Sequence, residues 1–281
     1  MGTINLTGSG NSADNQMVSF AAGTYDVLIT PSTPYLTIQG AQSGVDARTR
    51  TPSSESIVDG ALIAPTSGSI PDHTTAFYIA VNNVTVDGFT ISNEDAVYNF
   101  GAGIVMANTT SGVTVENNII TNNAIGLFAD SAGASLVQHN LFDANNTDYD
   151  PNGNYEPSGG AAIYSDLTTS LTINANEFKN QTVNNPVIFA ASDPTDHHNL
   201  SFTNNYLHDN SYGIYALSIS GGLFQGNTIT TTDPMSGIAL TLVGRTRISV
   251  CSITTWETTQ SAAWTLRTTA TSAPRLTPIL L

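Results

Sequence analysis

The chain has 281 residues, a length that suits one large domain or an array of repeats. Acidic residues outnumber lysines and arginines by 22 to 7, and the net charge of −15 argues against nucleic acid as a partner. An acidic polysaccharide would need calcium or a local basic site to bridge the like charges. The single cysteine, Cys251, excludes an intramolecular disulfide framework. Apolar runs are too short to span a membrane, so no membrane insertion is expected.

The first segment, residues 1–17, is predicted to be an N-terminal extension or cap. It contains neither the basic region nor the apolar region of a signal peptide. We therefore expect the chain to be a piece of a longer protein.

From residue 84 onwards a short sequence motif repeats. In each copy a strand of alternating apolar and polar residues ends at a position that we call the anchor. Successive anchors are 29, 22, 36, 29 and 22 residues apart, so a period of 22 carries insertions of 7 or 14 residues. Insertions of variable length in a fixed period are typical of loops on a solenoid. The anchors are Phe89, Asn118, Asn140, Asn176, Asn205 and Asn227.

Each copy alternates apolar and polar residues with the period of a β-strand. A second short strand follows in every copy, as in GLFA at 126 and GIYA at 213. Two apolar columns are predicted to point inward: Val86, Val115, Val137, Ile173, Phe202 and Phe224, and then Ile91, Ile120, Phe142, Phe178, Leu207 and Ile229. The polar column predicted to point outward is Asp87, Glu116, Gln138, Asn174, Thr203 and Gln225.

Short strands without long amphipathic helices predict an all-β coil of parallel strands, with rungs of about 22 residues stacked about 4.8 Å apart. About eight to nine such rungs are expected from the spacing of the copies. The anchor asparagines are expected at tight turns, where they would adopt a left-handed backbone and stack their amides.

These residues resemble the right-handed parallel β-helices of the pectin-lyase type, and in particular their Asn-rich, NosD-like repeat proteins. VSFAAGTYDVLI at 18–29 is similar to the opening rung of that superfamily, and YLTIQGAQSGVDARTR at 35–50 and ESIVDG at 55–60 are similar to the next rungs. The resemblance implies a single-stranded right-handed β-helix over 18–244 that is secreted or displayed at the cell surface. The superfamily contains lyases, hydrolases, epimerases, tailspikes and non-catalytic adhesins, so the resemblance is specific for fold and weak for activity.

One column of the second strand carries aromatic residues that are predicted to point outward. Such a ladder is a platform for sugar rings, whose C–H faces pack on aromatic faces; the alternative is a stack that stabilises the sheet or is covered by loops. The predicted substrate-binding residues are Phe128, Tyr164, Phe189 and Tyr215, in a column completed by Val105 and Ala239.

Two residues further along the same strands, Asp130 and Asp166 are predicted to lie on adjacent rungs. Stacked carboxylates repel, so the pKa of one should rise unless a cation binds between them. This suits a general acid/base pair or a calcium site. The alternative is two strand-end carboxylates that face water.

Lys179, the only lysine, is predicted to stack between Asp143 and His208 on another strand. Lys179 or His208 could abstract the proton α to a uronate carboxylate in a lyase. The alternative is a surface ion-pair ladder of little energetic value. Arg48 and Arg50 are expected to lie far from Asp130 and Asp166, which counts against a complete lyase site.

Two insertions carry candidate calcium ligands. In the loop 145–160, Asp148, Asp150 and Asn152 match the start of a calcium-binding loop, but Gly159 replaces its last glutamate. In SDPTDHH at 192–198, Asp193 and Asp196 precede two histidines, a partial likeness to the motif of β-helix alginate epimerases. In both cases a solvated polar loop is the alternative.

The segment 245–281 breaks the pattern, because it has no Asn, Asp, Gly, Phe or Tyr. It is interpreted as an atypical tail, either a cap or linker or a frameshifted translation, with low order. Two functions stay open: a monomeric polysaccharide-active enzyme, lyase or glycoside hydrolase, and a non-catalytic adhesin, surface or biofilm module that still binds glycans.

Overall fold

The computed structural model describes residues 2–14, 16–59, 75–94, 101–108, 110–130, 132–146, 159–190, 197–231, 240–243 and 247–255. Within these ranges every element is a β-strand, and no helix is long and apolar enough to cross a membrane. The strands are β1 (Gly2–Leu6), β2 (Gln16–Ser19), β3 (Gly23–Tyr25), β4 (Val27–Pro31), β5 (Leu36–Gln39), β6 (Ser56–Asp59), β7 (Thr75–Ile79), β8 (Val84–Asp87), β9 (Phe89–Ser92), β10 (Ala102–Met106), β11 (Thr114–Glu116), β12 (Ile119–Thr121), β13 (Ile125–Asp130), β14 (Ser135–Gln138), β15 (Leu141–Asp143), β16 (Ala161–Asp166), β17 (Leu171–Asn174), β18 (Glu177–Lys179), β19 (Val187–Ala190), β20 (His197–His198), β21 (Ser201–Thr203), β22 (Tyr206–Asn210), β23 (Ile214–Leu217), β24 (Ile219–Thr231), β25 (Leu240–Val243) and β26 (Arg247–Thr255).

The strands form a coil in which consecutive turns of the chain pair in parallel. Sheet A contains nine strands, in the order β1-β4-β7-β10-β13-β16-β19-β23-β25. Sheet B consists of two rows of short strands separated by a tight turn. Row 1 contains β2, β5, β8, β11, β14, β17 and β21, row 2 contains β3, β6, β9, β12, β15, β18 and β22, and β24 continues both rows. The predicted all-β parallel coil is therefore confirmed.

The interior is one continuous apolar core that runs along the coil. Both predicted inward columns belong to this core, and no member of either column is more than 2% exposed. Aromatic rings from successive turns stack within it, as for Phe142 and Phe178, whose ring centroids are 5.0 Å apart. The period-two pattern of the sequence thus predicts which side chains point inward.

The turn between the two rows is built on a ladder of buried asparagine amides. The side-chain oxygen of Asn140 accepts from the backbone N–H of Asn118 at 2.9 Å and from its amide nitrogen at 3.2 Å. The amide nitrogen of Asn140 then donates to the carbonyl oxygen of Val115 at 2.9 Å. The same contacts join Asn140 to Asn176, Asn176 to Asn205 and Asn205 to Asn227. The predicted stacking of amides is confirmed.

The predicted left-handed backbone belongs instead to the residue before each anchor. Positive φ values occur at Gly88 (82°), Asn117 (56°), His139 (55°), Ala175 (54°), Asn204 (55°) and Gly226 (68°). The preceding residue therefore makes the bend, and the anchor turns its amide inward to satisfy backbone groups of its own and the neighbouring turn.

A loop at 40–55 crosses the outside of this turn. The Arg50 guanidinium donates to the carbonyl oxygens of Phe89 at 3.0 Å and Asn117 at 2.7 Å, and it pairs with Glu55 at 3.0 Å. The backbone N–H of Ala47 donates to the His139 carbonyl oxygen at 3.1 Å. The loop also buries Asp87, which the sequence predicted to face outward.

Part of the predicted tail continues the coil. Strand β26 pairs in parallel with β24, with register shifts along their length. Residues 256–281 lie outside the described residues. The domain boundaries at 17 and 244 stay predictions.

Candidate functional site

The outward face of sheet A presents one column of large apolar and aromatic side chains. The strand register aligns Tyr78, Val105, Phe128, Tyr164, Ile188 and Tyr215. Tyr78 is 40% exposed, whereas Phe128, Tyr164 and Tyr215 are half-buried. The rings of Phe128 and Tyr164 lie side by side, with centroids 5.7 Å apart and planes tilted by 43°.

Tyr78 is a member of this column that the sequence analysis missed. The signal was present, because AFYIA at 76–80 has the same alternation as GIYA at 213–216. It lies one rung before the first copy that we aligned.

Phe189, by contrast, was wrongly assigned to the outward column. The register pairs Phe189 with Ser165 and Ala216, and Ile188 takes the outward position next to Tyr164. Phe189 is 1% exposed and packs against Phe202 and Phe224 in the core. A shift of one residue in a strand moves every side chain to the other face, so Phe189 cannot contact a ligand on the outside.

Phe128 and Tyr164 are supported from one side. They pack against a small buried cluster of Ala102, Val105 and Ile125, which is separate from the main core. This contact fixes the rings, and their remaining surface is solvent-accessible. The rings of the column therefore pack against the sheet and are partly exposed, and their role in substrate binding stays a prediction.

Asp130 and Asp166 lie on the same face, two residues beyond the aromatic pair, and face each other in the register. Burial, and then the charge of Asp130, raise the pKa of the Asp166 carboxyl. A carboxyl with a raised pKa beside a second carboxyl suits an acid and base pair. Their catalytic role stays a prediction.

Lys179 and His208 lie on row 2 of sheet B and not on the face that carries the aromatic column. Lys179 Nζ is 3.6 Å from Asp143 Oδ2 and 3.9 Å from Glu177 Oε1. His208 Nε2 is 3.0 Å from Glu177 Oε1, and Nδ1 is 2.6 Å from Asp209 Oδ2. The register predicted for Asp143, Lys179 and His208 is observed. Because Lys179 and His208 both contact carboxylates, the geometry matches the ion-pair alternative, and neither residue can join Asp130 and Asp166 in one site.

His197 is a buried structural residue, although the sequence placed it in a solvated loop. Its Nδ1 accepts from the Thr168 backbone N–H at 3.1 Å, and its Nε2 lies 2.6 Å from the Ala190 carbonyl oxygen. The ring also packs edge-on against Phe189 at 5.8 Å. A neutral imidazole that donates through Nε2 satisfies all of these contacts.

The predicted calcium ligands fall outside the described residues. This applies to Asp148, Asp150 and Asn152 and also to Asp193 and Asp196. In the part of the chain that the structure describes, no group of three or more His, Cys, Asp or Glu side chains could hold a metal ion. Calcium binding stays a prediction that concerns these two insertions.

Solved structures with a similar fold include the adhesin PfbA and DFA-IIIase. The surface protein and adhesin PfbA of Streptococcus pneumoniae superposes with a TM-score of 0.56 at 11% identity, over 90% of this chain and 65% of that chain. This chain therefore spans less than two thirds of PfbA. DFA-IIIase from Arthrobacter chlorophenolicus A6 without its lid gives a TM-score of 0.52 at 10% identity, over 89% of this chain and 79% of that chain. The lidless DFA-IIIase in complex with GF2 gives a TM-score of 0.50 at 15% identity, over 89% of this chain and 80% of that chain. At these identities the likeness concerns the fold alone.

No curated protein matches the sequence. The family model described as "Right handed beta helix region" matches residues 63–229, which is more than half of the chain. This match agrees with the parallel coil, the stacked amides and the continuous apolar core. The chain belongs to the right-handed β-helix family.

Proposed function

We propose that this protein is a secreted or cell-surface β-helix that binds polysaccharide through the outward face of sheet A. The observation that carries the proposal is the column of Tyr78, Phe128, Tyr164 and Tyr215 with Asp130 and Asp166 beside it. Parallel strands place successive rungs about 4.8 Å apart, so this column offers aromatic contacts along a linear path that is interrupted at the buried Val105 and Ile188.

Chemistry supports a carbohydrate ligand on this face. The C–H faces of a pyranose pack on aromatic rings, and its hydroxyl groups donate to carboxylates. The rings of Phe128 and Tyr164 are already held in place by the buried cluster behind them, which lowers the entropic cost of binding. A polysaccharide can bind to such a face directly from solvent, and the face needs no deep cavity for this.

If a bond is cleaved, the residues favour hydrolysis over elimination. The raised pKa of Asp166 suits a general acid that protonates the glycosidic oxygen, while Asp130 acts as base or nucleophile. Elimination requires a cation to stabilise the enolate of a uronate. The described basic side chains, Arg48, Arg50 and Lys179, are in ion pairs away from sheet A.

A non-catalytic adhesin or surface module is the second candidate. The same binding face would then hold the protein on a glycan without cleaving it. PfbA is a surface protein and adhesin, and DFA-IIIase is an enzyme crystallised with GF2, so this fold is compatible with both candidates.

The test is affinity electrophoresis of the purified protein, expected to be a monomer, in gels containing neutral or acidic polysaccharides, with and without calcium. We expect retardation by at least one polysaccharide, a loss of retardation in Tyr164→Ala, and no change in Tyr212→Ala. Tyr212 is a matched control, because it is 45% exposed and lies in the turn after β22. Equal mobility of the wild-type protein in all gels would reject the proposal.

The same polysaccharides are then incubated with the protein, and reducing ends and the ultraviolet absorbance of unsaturated uronates are measured. Reducing ends that disappear in Asp166→Asn identify a hydrolase. Unsaturated products identify a lyase and would contradict the roles given to Asp130 and Asp166. Retardation without any product identifies the non-catalytic module.

A further inference from the structure

Another exposed aromatic side chain lies on row 2 of sheet B, on a different face from the aromatic column. Tyr206 is 41% exposed at the start of β22. The His208 ring packs in parallel against it, with centroids 4.4 Å apart and planes within 21°. An exposed aromatic ring that is stacked from one side is a rigid surface for a ligand.

The support under Tyr206 is itself fixed by carboxylates. His208 contacts Glu177 through Nε2 at 3.0 Å and Asp209 through Nδ1 at 2.6 Å. Both ring nitrogens lie within hydrogen-bonding distance of a carboxylate oxygen, and these two contacts hold the ring in one orientation. The two carboxylates thereby position His208, and His208 positions Tyr206.

Polar groups of both charges surround this ring. Lys179 Nζ is 3.6 Å from Asp143 and 3.9 Å from Glu177, so both contacts are long and the three donors of the ammonium are only partly used. The Asn180 amide donates to Asp143 at 2.7 Å from the exposed end of β18. These side chains could exchange their mutual contacts for hydroxyl groups of a ligand.

The loop 40–55 approaches the turn before β15, because the backbone N–H of Ala47 donates to the His139 carbonyl oxygen at 3.1 Å. Arg48 pairs with Asp46 at 2.5 Å, and this contact raises the pKa of Arg48. The carboxylate of Glu177 makes a smaller contribution in the same direction.

We propose that this surface, made of Tyr206, His208, Lys179, Glu177 and Asp143, is a second saccharide-binding site that takes a neutral sugar unit. Its two cations, Lys179 and Arg48, lie among the four carboxylates of Asp46, Asp143, Glu177 and Asp209, so an acidic ligand gains little there. A neutral, hydroxyl-rich ring satisfies donors and acceptors of both signs and packs a C–H face on Tyr206. The site is independent of the aromatic column on sheet A and does not rest on the function proposed for it.

The experiment uses the full chain labelled with fluorotyrosine and observed by ¹⁹F NMR. The chain has 10 tyrosines, and single Tyr→Phe variants assign the resonances of Tyr206, Tyr164 and Tyr212. The probes are cellohexaose, mannohexaose, xylohexaose and an inulin-type fructo-oligosaccharide, each titrated to millimolar concentration. We expect the Tyr206 resonance to shift with saturation in at least one titration, while Tyr212 does not move.

The variants separate a binding role from a structural one. Glu177→Gln should weaken the saturable shift of Tyr206 several-fold, because His208 loses one of the contacts that hold it, whereas Arg48→Met should change it less. A shift of the Tyr206 resonance without a shift of the Tyr164 resonance supports this site and contradicts the one on sheet A. A shift of the Tyr164 resonance alone overturns the second site. The absence of a shift of either resonance with all four probes overturns it as well.

Discussion

At the residue scale, a second amide ladder in row 2 is interrupted at Gln181. In this ladder the Asn145 side-chain oxygen accepts from the Asn123 backbone N–H and amide, and Asn145 donates to the Ile120 carbonyl oxygen. Gln181 is 0% exposed in the next turn, but its longer side chain donates to the Lys179 carbonyl oxygen and leaves Oε1 without a partner. A buried acceptor without a donor costs about 1–3 kcal/mol.

Gln181→Asn should therefore stabilise the protein by about 1 kcal/mol. The shorter amide would accept from Asn145, as Asn145 accepts from Asn123, and would restore the ladder. The measurement is the urea midpoint of unfolding. The reverse change, Asn145→Gln, is the matched control and should lower the midpoint; a lower midpoint in both variants would contradict this account.

The Asp130 and Asp166 pair predicts how stability depends on pH. Burial, followed by the charge of Asp130, raises the pKa of Asp166 in the folded state. Stability from a raised carboxyl pKa is present below the pKa of the unfolded state and is lost as the pH rises through the pKa of the folded state. Asp166→Asn should thus be more stable than the wild type at neutral pH, by less than about 1 kcal/mol because the group is partly exposed.

That difference should disappear at acidic pH, where the wild-type carboxyl is also neutral. Urea unfolding at both pH values measures it. Asp26→Asn, at an exposed position, is the control and should show no such pH dependence. Greater stability of the wild type at neutral pH would indicate that the pair is compensated by a cation.

At the element scale, the register of β19 separates a core aromatic from a surface one. Phe189 is 1% exposed among core rings, so Phe189→Ala should lose about 3–5 kcal/mol of unfolding free energy. Phe128→Ala, on the outward face, should lose much less. Urea unfolding of the two variants distinguishes the faces, and equal losses would show that β19 has the register first expected from the sequence.

The difference in β19 shows which features could be predicted from sequence. Alternation within a strand is local, so the inward columns that contain Val115 and Phe142 follow directly from it. Alignment between turns depends on the length of an insertion, and NNPVIFA permits two registers that differ by one residue. Only the backbone hydrogen bonds, as from Ile163 N–H to Pro186 O at 3.0 Å, decide between them.

Contacts made by loops were less predictable, because nothing periodic describes them. The sequence did not predict that the guanidinium of Arg50 donates to the Asn117 carbonyl oxygen at 2.7 Å. Burial opposes the charge of Arg50 and lowers its pKa, and the nearby Glu55 partly compensates. The stacking of Tyr206 on His208 was not predicted for another reason. The two residues have the ordinary two-residue spacing of outward side chains on any strand, so the sequence does not distinguish them.

At the scale of the whole molecule, the coil is held together by contacts between consecutive turns. In such a solenoid each repeat contacts only its neighbours, so stability is close to a sum of local terms. The asparagine ladder crosses all turns from Phe89 to Asn227 and is the polar counterpart of the apolar core. A break in the middle of the ladder should therefore act on the adjacent turns and leave distant ones protected.

Asn140→Ala makes this break, because Asn140 accepts from Asn118 through two hydrogen bonds and donates to the Val115 carbonyl oxygen. The Asn118 backbone N–H and the Val115 carbonyl oxygen would each lose this hydrogen bond, while the Asn118 amide keeps its bond to the Val86 carbonyl oxygen, and about 2–5 kcal/mol of stability should be lost. Amide hydrogen exchange should accelerate strongly in β11, β12, β14 and β15 and little in β2 and β5. Asn108→Ala, at an exposed turn, is the control. Acceleration of equal size in every strand would mean that the coil unfolds as one unit, and binding at either proposed face would then be coupled to the order of the whole ladder.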